Sequence, residues 1–161
     1  MDAVPRWIVV WLVVSTPVTL WDASFLLARP ASFPDGDLGF LWSIAYTTYL
    51  EVDHSYADLS LGFPKAVAVM SCVEAVIVGA GLAADGKGRH ALAHLLLTVV
   101  TSLTAAKTAT FLMVEGLGGF SHTGHNAAGA FWSLWAIPNG IWLVVPTLAA
   151  VTLGRRLLAD R

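Results

Sequence analysis

This sequence predicts an all-α fold, an integral membrane bundle of four transmembrane helices with a non-cytoplasmic first loop. Three observations predict it. Only 12% of the residues are charged, against about 25% in soluble domains. The chain is 57% hydrophobic, with a mean hydropathy of +0.70. Four apolar stretches, near residues 7–27, 63–84, 90–114 and 127–153, each reach the ~20 residues that a helix needs to cross a bilayer. No repeat breaks the chain, so residues 1–161 read as one membrane domain.

The first stretch follows Arg6 and has the outline of a signal peptide. Its apolar core is too long for one and contains Asp22, so a retained helix is expected. It stops at Arg29-Pro30. The second stops at Asp85-Gly86-Lys87-Gly88-Arg89 and the third at Gly116-Leu117-Gly118-Gly119, all strong helix breakers. In the fourth, Pro138 and Pro146 each free a backbone carbonyl, which predicts local kinks. Between the first two spans, segment 38–50 is apolar but too short to cross, and is expected at the interface or folded back as a lid.

Arg6, Lys87, Arg89, Arg155, Arg156 and Arg161 fall on one side of such a bundle, and Arg29 and Lys65 on the other. The excess of basic residues predicts that both termini are cytoplasmic. A net charge of −2 argues against a nucleic-acid surface. Cys72 is the single cysteine, which excludes an internal disulfide.

Function is sought where charge interrupts the apolar stretches. A charged side chain at the centre of a span costs roughly 2.5–3.5 kcal/mol, so it is seldom there without a role. Glu74 is the leading candidate. Burial disfavours the charged form, which suits it to donate a proton; the alternative is a structural ion pair with Lys107. Asp22 and Glu74 lie at comparable depth, and two such acids in one cavity commonly divide the acid and base roles. Asp22 could instead be a solvated residue near the helix end. Lys107 could snorkel outward or meet Asp22 or Glu74.

The fourth span has the sharpest pattern. Trp132, Trp135, Asn139 and Trp142 are spaced three, four and three apart, which stacks them on one helical face. Three indoles around an amide would cup a flat apolar ligand or stabilise a cation; ordinary packing with an interfacial Trp belt is the alternative. Thr104 and Thr108 belong to a hydroxyl-rich surface on the third span, around Lys107. His122 and His125 are a weak metal signal without a third ligand, and hydrogen bonding at the pocket mouth is favoured. No metal and no cofactor is expected.

Several blocks of this chain resemble the emopamil-binding-protein (EXPERA-domain) family, which includes a sterol double-bond isomerase and non-catalytic sterol- or drug-binding relatives. The blocks are Gly119-Phe120-Ser121-His122 through Phe131-Trp132, Asn139 through Pro146, Cys72-Val73-Glu74, and Asp53 before Ser55-Tyr56. The resemblance implies that Glu74 is the catalytic glutamate of the second helix. Asn139 and Trp142 would be the amide and the cation-facing indole, and Asp22 would replace the first-helix acid. Two positions depart from the family pattern: Val18 stands where the isomerase has a histidine, and Lys107 has no counterpart.

The expected function is that of an isomerase or cyclase acting on a sterol or terpenoid lipid. It would protonate an alkene or epoxide, hold the cation against Trp and then lose a proton. The alternative is a non-catalytic binder of sterols or cationic amphiphiles. Catalytic candidates are Glu74, Asp22, Asp53 and Lys107; ligand-binding candidates are Trp132, Trp135, Asn139, Trp142, Thr104, Thr108 and His122. The expected partners are a hydrophobic small molecule of sterol or isoprenoid type and membrane lipids, with a homodimer as a further option. The family places such proteins in the endoplasmic reticulum of eukaryotes.

Overall fold

The computed structural model describes residues 2–159. Helix α1 runs Arg6–Ala28, the short α2 Ser43–Val52, α3 Gly62–Gly86, α4 His90–Leu117 and α5 Ala128–Ala159. Single 3₁₀ turns at Gly39–Leu41 and His54–Tyr56 flank α2. Helices α1, α3, α4 and α5 are each long and apolar enough to cross a membrane, and no strand occurs among the described residues. The protein is therefore a four-helix integral membrane bundle.

The spans end where the sequence has its breakers. Helix α3 stops at Lys87, followed by Gly88 at φ 71°. Helix α4 stops at Gly118, and the chain turns through Gly119 at φ 69°. Both glycines take the left-handed region at little steric cost. Pro64 falls in the first turn of α3, where its missing N–H leaves no bond unmade.

Close backbone packing runs between consecutive spans: α1 on α3, α3 on α4, and α4 on α5. Two hydrophobic clusters fill the bundle. Near the two chain ends, Ile8 and Leu12 of α1 meet Val78 of α3, Leu97 and Val100 of α4, and Ala149 and Leu153 of α5. A Cβ on Gly81 would come within 2.5 Å of Leu97 Cδ2, so the glycine lets that leucine lie against α3. Toward the first loop the core is aromatic, with Phe25, Trp42, Tyr46 and Tyr56 around the fully buried Ala68.

Segment 38–50 folds back over this aromatic end. Within it, the Tyr46 ring stacks on Phe25 at 3.8 Å between centroids, and the Trp42 indole donates to Trp21 O at 3.3 Å and Ser24 Oγ at 3.2 Å. The other edge of α2 is tied to the turn before α5. His125 Nε2 meets Glu51 O at 2.7 Å, and Asn126 Nδ2 donates to Val52 O at 2.7 Å. Arg29, buried at the end of α1, donates from Nη1 to the carbonyls of Ser55, Tyr56 and Asp58 at 3.3, 2.7 and 3.4 Å. One guanidinium thus ties the end of α1 to the 3₁₀ turn at His54–Tyr56 and to the loop after it.

Helix α5 contains a π-helical turn at Phe131–Ala136, directly before Pro138. Pro138 has no N–H for the carbonyl of Leu134 one turn back, and beside it Asn139 Nδ2 donates to Trp135 O at 2.8 Å. A π turn takes in an extra residue, so side chains before it are rotated by roughly 100° relative to those after it.

Candidate functional site

Between the aromatic end and the middle of the bundle lies a cavity of about 550 Å³, in the range of small-molecule sites. Its floor is Trp142 of α5 and its roof is α2 with Tyr56. Its mouth opens sideways between α1 and α5, where Val18, Trp21, Ile44 and Leu134 line it and are exposed on the lipid-facing surface. Ile44 at 92% exposure marks the rim.

Asp22 is the acid on the cavity wall. Tyr46 Oη donates to its Oδ1 at 2.5 Å, and Tyr56 Oη lies 3.3 Å from both oxygens. Burial first, and then the adjacent Asp22 charge, raise the Tyr46 and Tyr56 phenols above their usual range. Both therefore stay protonated and act as donors. Among the described residues, no ion pair involves Asp22.

Glu74 does not face this cavity. It lines a separate compartment of about 20 Å³, which shares only Thr19 and Trp142 with the larger one. Its Oε2 accepts from Lys107 Nζ at 2.8 Å and from Thr104 Oγ1 at 3.0 Å. Its Oε1 is buried without a partner among the described residues. Lys107 also donates to Ser71 Oγ at 2.7 Å, and Lys107 and Ser71 both line the large cavity. The lysine thus stands in the wall with Glu74 behind it. The two acids expected to share a chamber occupy different ones, because similar depth does not bring two helices to the same face.

Three further candidates are committed elsewhere. Asp53 is almost fully buried outside the cavity wall and receives Ser55 N at 3.0 Å, Ser55 Oγ at 2.6 Å and Trp135 Nε1 at 3.1 Å. Burial pushes its carboxyl up, only partly offset by those donors. It fastens the 3₁₀ turn after α2 to α5. Trp135 is its partner and not part of the cavity lining. His122 is held by Glu115, with Nδ1 at 3.0 Å from Oε2 and the backbone N–H at 2.9 Å from Oε1. His125 stacks on His54 with centroids 3.9 Å apart.

The single tryptophan face of α5 is also corrected. Trp132 is 60% exposed and lies outside the cavity lining, because the π turn rotates it away from the later residues. Asn139 and Trp142, beyond that turn, do line the cavity, as does Thr108 of α4. Thr104 lies one turn lower, on Glu74.

None of Tyr46, Tyr56, Ser71 and Phe111, all in the cavity wall, is among the sequence-derived site candidates. The two tyrosines belong to a loop whose path no periodicity reveals. Ser71 carried a usable signal, one turn before Glu74 on the same helix face.

The cavity can hold a mainly apolar molecule and offers it an acceptor at Asp22, a cation at Lys107 and the aromatic faces of Tyr49, Phe111 and Trp142. Compared with protein-family models, with curated proteins and with solved structures, the chain matches none of them, and it stands as an integral membrane protein with a laterally open aromatic cavity.

Proposed function

We propose that this protein binds a lipophilic amine within the bilayer, its ammonium on Asp22 and its apolar body among the aromatic rings. One observation carries the reading: Asp22 is the acid on the wall of a ligand-sized cavity, and its donors are two phenols, with no cationic side chain paired to it among the described residues. A ligand ammonium supplies the missing charge. Nearby rings add cation–π attraction of about 2 kcal/mol or more when the cation is desolvated. The resemblance to a family with sterol- and drug-binding members supports the same class.

The test is saturable binding of an amphiphilic amine to the detergent-purified protein, against a neutral amide of the same skeleton. The amine binds about tenfold or more tightly, equivalent to about 1.4 kcal/mol, and Asp22→Asn removes the difference. Equal binding of amine and amide by the unaltered protein would sink this reading.

A second reading is acid-initiated isomerisation or cyclisation of a sterol or isoprenoid. It is favoured by Asn139 and Trp142 reaching the same cavity, where an indole face suits a carbocation. The pairing of Glu74 with Lys107 weighs against it, since the acid expected to start the reaction is engaged outside the cavity. Incubation with sterol alkenes and epoxidised isoprenoids in deuterated water separates the two, because turnover leaves deuterium in a product. The basic bias supports cytoplasmic termini, and the family resemblance supports the endoplasmic reticulum in a eukaryote.

A further inference from the structure

Lys107 is left without a role by amine binding. It is a primary amine in the wall of an apolar cavity, its side chain 12% exposed, with a carboxylate at 2.8 Å and a hydroxyl at 2.7 Å. A structural ion pair needs no cavity in front of it. This one has 550 Å³ of mainly apolar space on the lysine side. On the carboxylate side it has a compartment of about 20 Å³. Glu74 also keeps one buried oxygen unpartnered.

We infer that Lys107 captures lipophilic aldehydes as an imine, with Glu74 moving the proton and remaining as counter-ion. The inference goes beyond the binding of amines at Asp22, because it concerns a different functional group and a different wall of the cavity.

The chemistry balances without a further reagent. A proton passes from Lys107 Nζ to Glu74, and the freed nitrogen lone pair attacks the aldehyde carbon while the C=O π pair moves to oxygen. A proton shifts from nitrogen to that oxygen, giving a carbinolamine. Glu74 returns its proton to the hydroxyl, the C–O bond breaks, and water leaves as the nitrogen lone pair closes the C=N bond. Ammonium plus aldehyde has become iminium plus water, and nothing is oxidised or reduced.

Two features favour this product. One positive and one negative charge are present before and after, so no new charge is buried in the low-dielectric span. A cavity of about 20 Å³ exceeds the ~10–15 Å³ that one water needs, so the water released has a place beside Glu74. Lysines desolvated in apolar surroundings are also suited to Schiff-base chemistry in general. Lys65 and Lys87, the other two lysines, are exposed. An imine formed on either of them meets bulk water and is lost by hydrolysis.

The test uses the full chain in detergent with all-trans-retinal as the probe aldehyde, followed by borohydride reduction, intact mass and peptide mapping. One adduct per chain is expected, at Lys107 in at least tenfold excess over Lys65 and Lys87, with a red-shifted absorbance before reduction that marks a protonated imine. Lys107→Arg keeps a cation for Glu74 and loses the adduct. Adducts confined to Lys65 and Lys87, or none at all, overturn the inference, and mapping of the unaltered protein decides this even where the variant does not fold. Titration of the same sample with the amphiphilic amine separates the two ideas. Adduct without amine binding leaves Lys107 standing and removes the Asp22 reading; amine binding without adduct does the reverse.

Discussion

The half of the bundle that holds the two chain ends is aliphatic and closed, whereas the half beneath the first loop is aromatic and hollow. In the first, Ile8, Leu12, Leu97, Val100 and Leu153 bring branched chains from three spans into one cluster, and Gly81 removes the last obstacle to contact. In the second, Phe25, Tyr46 and Tyr56 stack against one another along the roof, leaving the space below them unfilled. Branched aliphatic chains fill irregular gaps at crystal-like density. Here the stacked rings leave space below them, and the Tyr46 and Tyr56 hydroxyls turn inward to Asp22. The polar row of Ser71, Lys107, Glu74 and Thr104 marks the boundary between the halves. One half supplies stability, and the other keeps open space at the expense of packing.

The largest expected effect comes from breaking the boundary. Glu74→Ala leaves the Lys107 ammonium buried without a counter-charge, which destabilises by about 3–5 kcal/mol. Replacing both together, Glu74→Leu with Lys107→Met, removes the unpaired charge and recovers most of that loss. Denaturant unfolding in detergent measures both variants. A loss below about 1 kcal/mol in the single variant is what a weak, solvent-screened pair gives. It would mean that Lys107 reaches water, and that the halves are not divided by a buried pair.

The two halves are then probed directly. Leu97→Ala empties space in the closed half and is expected to cost about 2–5 kcal/mol, with amine binding unaltered because the site is distant and shares no partner. Tyr46→Phe removes one donor from Asp22 in the hollow half and is expected to cost about 1 kcal/mol of stability. It also changes amine affinity, since Tyr46 touches the anchoring carboxyl. Equal effects of both substitutions on binding would erase the distinction.

The closed half was far more legible in the sequence than the hollow one. Span lengths follow from hydropathy and bilayer thickness, and the breaks at Gly88 and Gly119 follow from the backbone freedom of glycine. A charge in a span needs a partner, so a Glu74–Lys107 pair was among the options that residue type alone allows. The cavity is different. Depth along a helix places Asp22 and Glu74 axially but does not give the face each one presents. The three-four-three spacing of the α5 indoles assumes an unbroken α-helical period, which the turn at Phe131–Ala136 interrupts. Tyr46 and Tyr56 reach Asp22 only because the first loop folds back. Asp53 did carry a local signal: an acid two residues before a serine can cap the turn that follows it, and it does so here.

Asp53 gives the smallest and most selective test of the comparison. Burial holds its carboxyl above the ordinary value of 3.8, so over that interval the folded state binds the proton more tightly than the unfolded chain. The slope of stability with pH is set by protons bound unfolded minus protons bound folded, and is therefore negative. The protonated acid's contribution is complete below 3.8 and is lost as pH rises through the folded-state value. Asp53→Asn cannot titrate. Its melting temperature, subtracted from that of the unaltered protein at each pH, should give a difference that falls with rising pH and then levels. Leu97→Ala, altering the closed half alone, should give a flat difference over the same range. A difference for Asp53→Asn that grows with pH would mean that the Ser55 and Trp135 donors outweigh burial, so that the loop is fastened to α5 by an anion.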